Sequence, residues 1–303
     1  MAKGGLLVAG LGFGTAIGVA LGALVLAPNM SGGAAGDDPI REEHRKLLQD
    51  NQTLQAQTDS NDSIIDDLAS DVVDGSLSDR PVLVIATSDA RDGDVSSVKN
   101  LLDDADAIDA GQITMTNDFL APEKADKLLS IVANTLPAGA ELDEEQRDVG
   151  THAGQALATA LLLDPDTTEP FASVDDRATL LQALRQEGYI EYESGTILPA
   201  QAVVIIGGGG YRGYYADNLA HFAEQMKEAG GSTVLAARVQ QAAEDRTIDQ
   251  VRKDFPEVST VDSINRSSSQ LAVIMAVEEQ LAGGSGAYGS AASADAAAPA
   301  LED

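Results

Sequence analysis

Residues 4–27 carry no charged side chain, and within them Gly10, Gly14, Gly18 and Gly22 recur at every fourth position. As a helix the 24 residues reach roughly 36 Å, enough to cross a hydrocarbon core of about 30 Å. Small residues at that spacing bare one helix face and let a second helix pack closely against it in lipid. Residues 1–30 are therefore expected to be a transmembrane anchor, lodged in membrane lipid, with Gly10, Gly14, Gly18 and Gly22 as dimerisation residues. A cleaved secretory leader competes, because Lys3 precedes the apolar run. Against it, the run exceeds a leader's core, residues 24–27 lack a small-x-small pair, and Pro28 follows at once. The short polar head is easiest to leave in the cytoplasm, which puts the main domain on the extracytoplasmic side. Basic residues do not decide orientation, since Lys3 lies on one side and Arg41, Arg45 and Lys46 on the other.

Residues 31–78 read as a connector and a coiled coil. Ile40, Leu47, Leu54, Asn61 and Leu68 recur every seven residues, with His44, Asn51, Thr58, Ile65 and Val72 four places later. That is a heptad seam of about five repeats. An Asn pair at such a seam sets register and parallel two-stranded pairing, which also suits two chains anchored in one membrane. Ile40, Leu47, Asn51, Leu54, Ile65 and Leu68 thus extend the dimerisation surface of an expected parallel homodimer. The alternative is one amphipathic helix lying on its own domain. Asp74, Gly75 and Ser78 end the helix in either case.

With 49 acidic and 19 basic residues the chain carries a net charge of −30, which argues against nucleic acid as a partner and against general attraction to anionic lipid. It has no cysteine, so disulfides, thiolate metal sites and thiol nucleophiles are excluded. Residues 79–283 alternate β-branched runs with helical stretches, the pattern of an α/β, Rossmann-like parallel sheet with flanking helices. Strands are expected at residues 81–86, 112–116, 202–206, 233–237 and 258–261. Helices are expected near 94–104, from Pro122, over 154–163 and 175–187, after Gly213, and over 271–281. Ser173 and Asp176 are spaced as a capping pair. Residues 284–303, mostly Gly, Ala, Ser and Asp, are expected to be a flexible tail.

Gly208, Gly210 and Gly213 satisfy G-x-G-x-x-G between an apolar strand and a helix, the setting in which glycines cradle a pyrophosphate. Arg238, at the end of the next strand, stands where some related folds contact a ribose phosphate. Against this, Tyr211, Arg212, Tyr214 and Tyr215 crowd the loop, and a structural turn or an exposed Tyr/Arg contact surface fits them better. The candidate partner or ligand surface is accordingly Gly208, Gly210, Tyr211, Arg212, Gly213, Tyr214 and Tyr215. His44, His152 and His221 are scattered, the five methionines form no M-x-M cluster, and no nucleophile elbow or P-loop occurs. Neither an enzyme, a resident cofactor nor a metal site is expected from the residues.

The order of segments LGFGTAIGVALGALVL, the acidic heptad, RPVLVIATSDARDGDV, ITMTNDFLAP, AVVIIGGGG and VSTVDSINRSSSQLAVIMAVEEQLAGGSGAYG spans nearly the whole chain. It resembles the actinobacterial MctB-like copper transport family, whose corynebacterial members are also known as SteB cell-division factors. STVD at residues 259–262 and G-x-G-x-Y-G at 284–289 are the most specific stretches. The resemblance implies a cell-envelope protein linked by family name to copper and, in SteB-like members, to septal wall remodelling beside a partner called SteA. Copper enters by that name alone. One apolar helix and compact βα units cannot make a conducting pore unless many copies assemble, so envelope and division scaffolding is the expected role, with copper efflux and a nucleotide-binding domain as alternatives.

Overall fold

The computed structural model describes residues 39–300. The expected anchor, with Gly10, Gly14, Gly18 and Gly22, lies outside the described residues. The heptad segment forms one helix, α1 (Pro39–Val73). None of the described helices is long and apolar enough to cross a membrane. The chain separates into two units, residues 1–64 and 65–303. In the first, the seam residue Leu54 is 50% exposed and Asn51 and Thr58 are exposed beside it. In the second, the last turns of α1 bury Ala69 and Val73 on the α/β core while Leu68 and Val72 remain 53% and 44% exposed. Ser70 and Asp66 fasten these turns through Asp104 and Ser267.

Among the described residues one sheet of seven strands has the order β3-β2-β1-β4-β5-β6-β7. The strands are β1 (Pro81–Ala86), β2 (Ile108–Met115), β3 (Ile190–Tyr192), β4 (Ala202–Ile206), β5 (Ser232–Ala236), β6 (Ser259–Val261) and β7 (Ala287–Tyr288). All pairings are parallel except β2 with β3. The uninterrupted apolar runs follow from burial of both faces. Successive side chains of a strand point to opposite faces, so Leu83, Ile85, Val203 and Ile205 enter one core while Val82, Val84, Val204 and Ile206 enter the other. Helices α2 (Asp92–Asp104) and α8 (Ser267–Leu281) supply the second core; α3 (Ala125–Asn134), α4 (Val149–Leu161), α5 (Val174–Gln186), α6 (Tyr214–Glu228) and α7 (Thr247–Asp254) supply the first. The capping residues act where their spacing indicates: Ser173 Oγ accepts the Asp176 amide at α5, and the Asp148 carboxylate accepts that of Thr151 at α4.

The segment after α8 corrects the expectation of a bare tail. Residues 287–288 add β7 to the edge of β6, and the following residues fold back so that the Asp295 amide donates to the Ala287 carbonyl. The anchor of this strap is Asp262, wholly buried, whose carboxylate accepts hydrogen bonds from the Ser290 and Ala291 amides, the Ser263 hydroxyl and Arg252. Arg252 also reaches the Tyr288 carbonyl and Thr260 Oγ1. Gly289, at φ +125°, passes so close that a Cβ would lie 2.4 Å from Asp262 Cγ. STVD and G-x-G-x-Y-G, 25 residues apart from Ser259 to Gly284 in sequence, are thus two halves of one clasp.

Candidate functional site

Between β1 and β4 the strand order reverses direction, and in an open parallel sheet the crevice outside the strand carboxyl ends at such a point is where ligands bind. The loops 87–91 and 207–213 meet there. The glycine loop follows directly on β4, as expected, and Gly213 adopts φ +52° as it turns into α6.

The would-be phosphate cradle is filled from within. Asp89, three residues beyond β1, presents Oδ1 to the Gly208 amide at 3.1 Å and Oδ2 to the Gly210 amide at 2.7 Å, while the Thr87 hydroxyl donates to Oδ1 at 2.6 Å. Two backbone N–H groups and a hydroxyl thus hold a carboxylate where a nucleotide phosphate would sit. Gly208 comes so near that a Cβ there would lie 2.0 Å from the Asp89 carbonyl oxygen. Arg238 does not face the crevice as a free phosphate ligand either, because it pairs with Asp94 through three contacts of 2.8–3.1 Å. These two findings remove the basis for a nucleotide site at Gly208–Gly213.

Around the filled cradle the tyrosines pack together. The Tyr211 and Ser88 hydroxyls lie 2.9 Å apart, and burial pushes the Tyr211 phenol pKa up. Its ring centroid stands 5.6 Å from that of Tyr215, which meets Tyr214 edge-on at 6.4 Å. The Tyr211 carbonyl accepts from Gln241 and Arg246, and Arg246 also reaches the Gly209 carbonyl. Arg212, Gly213 and Tyr214 are exposed. The structure therefore places the seven residues chosen from sequence around the rim of the closed cradle, with Gly208 buried and Tyr211 and Tyr215 half-buried, and adds Ser88, Asp89, Gln241 and Arg246. The added four come from distant chain segments; what brings them is the strand order, which sets the stretch after β4 between the stretch after β1, with Ser88 and Asp89, and the stretch after β5, with Gln241 and Arg246.

Among the described residues no group of three or more His, Asp or Glu side chains is placed to hold a metal ion. Met115 and Met226 are buried in the apolar core. His152 Nε2 lies 2.8 Å from the Asp143 carbonyl, and His221 Nδ1 lies 3.1 Å from Asp148 Oδ1 as an ion pair. Pairing with Asp148 raises the His221 pKa. Burial opposes ionisation of Asp148, but His221 and Thr151 outweigh it and hold its carboxyl well below the usual carboxylate range. The stabilising contribution of the raised imidazole is complete below its unfolded pKa, about 6.5, and is lost as pH rises through the folded value. That of the depressed carboxyl is complete above about pH 3.9 and is lost as pH falls through its folded value. The unfolding midpoint of the wild type minus that of His221→Gln should accordingly be greatest between roughly pH 4 and 6.5 and decline on either side; thermal melts across pH measure it.

The family described as copper transport outer membrane protein, MctB, matches residues 6–299. This chain belongs to that family. Copper transporter MctB of Mycobacterium tuberculosis is 30% identical over 253 residues, which cover 80% of this chain and 81% of the relative. The Mycobacterium leprae protein of the same name is 30% identical over 230 residues, 72% of this chain and 73% of the relative. The MctB family match takes in the heptad helix, the filled switch point and the Asp262 clasp.

Proposed function

We propose that the chain is a single-pass protein of the cell envelope that pairs as a parallel homodimer and acts, without catalysis, as a scaffold in envelope maintenance and cell division beside a membrane partner of the SteA type. Its anchor is residues 1–30, its N-terminus is cytoplasmic, and its α/β domain is extracytoplasmic. The observation that carries the reading is the open seam of α1: Leu54, Leu68 and Val72 are about half exposed at heptad positions although Ala69 and Val73 on the same helix are buried. Exposed apolar seam positions, interrupted by the polar Thr58 and Asn61, favour a second helix alongside in water. The closed switch point supports a binding role over an enzymatic one, since the sheet's usual ligand crevice holds its own Asp89.

The absence of cysteine makes the test clean. Leu54→Cys in the full chain, in native membranes, should give a disulfide-linked dimer in high yield under mild oxidation, and Ala56→Cys, on the outer face of the same helix, should not. Asn51→Lys combined with Gly14→Leu and Gly18→Leu should abolish the Leu54→Cys product. Equal yields at both cysteine positions would overturn parallel pairing through this seam.

Family membership favours a second reading, in which the protein handles copper as cargo. Soft sulfur ligands suit Cu(I) best, and the described methionines form no cluster of them. Titration of the full chain in detergent with Cu(I) is therefore expected to show no saturable stoichiometric binding by calorimetry. A stoichiometric site would favour copper efflux or copper homeostasis over scaffolding.

A further inference from the structure

We propose that the outer edge of β3 takes up an extended segment of a partner protein as an antiparallel eighth strand of the sheet, one that carries Lys or Arg at alternate positions opposite Glu191 and Glu193. The inference goes beyond the scaffold reading and stands on the sheet alone, whether or not two chains pair through α1.

The two edges of the sheet are finished differently. β7 is covered by the strap, where Tyr288 bridges Ala296, the Asp295 amide donates to the Ala287 carbonyl and the Gly289 amide donates to that of Ala296. β3 has no such cover. The Thr116 amide donates to the Tyr189 carbonyl, and along an antiparallel pair residues alternate between facing the neighbour and facing away. Glu191 and Glu193 therefore turn their backbone groups toward β2. The N–H and C=O groups of Ile190 and Tyr192 turn outward and have no hydrogen-bond partner among the described residues. They open on a groove of about 700 Å³, within the range of about 300–1,000 Å³ usual for binding clefts. An unpaired row of backbone groups is a template for one more strand.

The side chains select the occupant. Ile190 and Tyr192 face the first core, and alternation puts Glu191 and Glu193 on the opposite face beside Gln112 and Thr114, which are only half-buried. Both glutamates are exposed, and neither side chain makes a hydrogen bond or ion pair among the described residues. The other charges lining the groove are Asp109, 3.8 Å from Lys99, and Arg185, which stands 5.0 Å over the Tyr192 ring on the far face of the strand and donates to Ser194. Three acids thus meet two bases, and the two carboxylates left over lie on one face at the two-residue repeat of a strand. In an antiparallel addition, the residue across from Glu191 falls in a non-hydrogen-bonded pair, where side chains come closest, and an opposite charge there is stabilising. The net charge of −30 draws a basic segment toward this edge. A second copy of the chain does not suit it, because two β3 strands paired about their centres set Glu191 against Glu191, and like charges directly opposite are destabilising.

The test uses the full chain in detergent micelles and a fluorescein-labelled peptide of alternating Lys and Val, read by anisotropy at about 0.15 M salt, where the screening length is about 8 Å. Saturable binding is expected. A peptide of the same composition with its lysines in one block should bind at least tenfold more weakly, about 1.4 kcal/mol. So should the alternating peptide N-methylated at its valines, whose amides are the ones that meet Ile190 and Tyr192. Glu191→Lys with Glu193→Lys should weaken binding of the alternating peptide at least tenfold and create binding of a Glu/Val counterpart. Both positions are exposed, so the double variant should keep the far-ultraviolet circular dichroism of the wild type. Glu42→Lys with Glu43→Lys, an equal change of charge on α1, should leave binding within about twofold of the wild type, a few tenths of a kcal/mol. No saturable binding, equal binding of the blocked or N-methylated peptide, or unchanged binding by the Glu191→Lys/Glu193→Lys protein would overturn the proposal. So would tighter binding of a peptide of residues 188–194 of this chain, which would assign the edge to a second copy.

Discussion

Asp262→Ala should cost about 3–5 kcal/mol of stability, because it strands a charge that the fold has taken out of water. Its carboxylate is wholly buried and Arg252, its partner at 3.0 Å, has a side chain only 6% exposed. Removing the acid leaves the guanidinium without a counter-charge and leaves the Ser290 and Ala291 amides without their acceptor. Each such unmet buried donor costs on the order of 1–3 kcal/mol. Ser290→Ala, which removes a hydroxyl and keeps every amide bond to Asp262, should cost about 1 kcal/mol or less. Urea unfolding of the three proteins measures the difference. Limited proteolysis supplies a second readout, since release of the clasp should expose residues 284–300 to cleavage well before the rest of the domain. Equal stability of Asp262→Ala and Ser290→Ala would show that the clasp is not what holds β7 to β6.

This clasp marks where sequence reasoning reached its limit. Residues 81–86 and 202–206 were readable as buried strands because both faces of a parallel sheet are covered, and β-branched runs have few other uses. The α5 cap was readable because Ser173 and Asp176 act within one turn. The segment 284–300 was not, since its composition lacks the apolar surface that orders a chain; it is ordered by partly buried hydrogen bonds to Asp262, Ser259 and Glu279, none of which leaves a periodic trace. β3 and α7 were missed for a related reason. Both are short, and β3 gains its identity only by pairing antiparallel to β2. At the rim, the glycines and tyrosines were visible as a cluster, but Asp89 lies 119 residues from Gly208, and only the strand order brings it there.

Gly208→Ala should prove nearly as damaging, at about 3 kcal/mol or more, and for a purely steric reason. An alanine Cβ at this position would stand 2.0 Å from the Asp89 carbonyl oxygen and 2.7 Å from Asp89 Oδ2. The first is a backbone atom that cannot swing aside and the second is held by the Gly210 amide, so the loops after β1 and β4 must part. Parting them breaks the Asp89 bonds to the Gly208 and Gly210 amides and the Ser88–Tyr211 pair together, and exposes polar groups that were satisfied. Gly209→Ala next door is the matched control. Its Cβ would meet Gln240 Oε1 at 3.1 Å, the far end of an exposed side chain that can swing aside, and its cost should stay below about 1 kcal/mol. Urea denaturation compares the two, and near-ultraviolet circular dichroism, to which the rim contributes three of the six tyrosines, reports the rim in part. A partial loss of the tyrosine signal is expected in Gly208→Ala at a temperature where it is still folded, and an unchanged signal and midpoint would mean that Asp89 does not close the switch point.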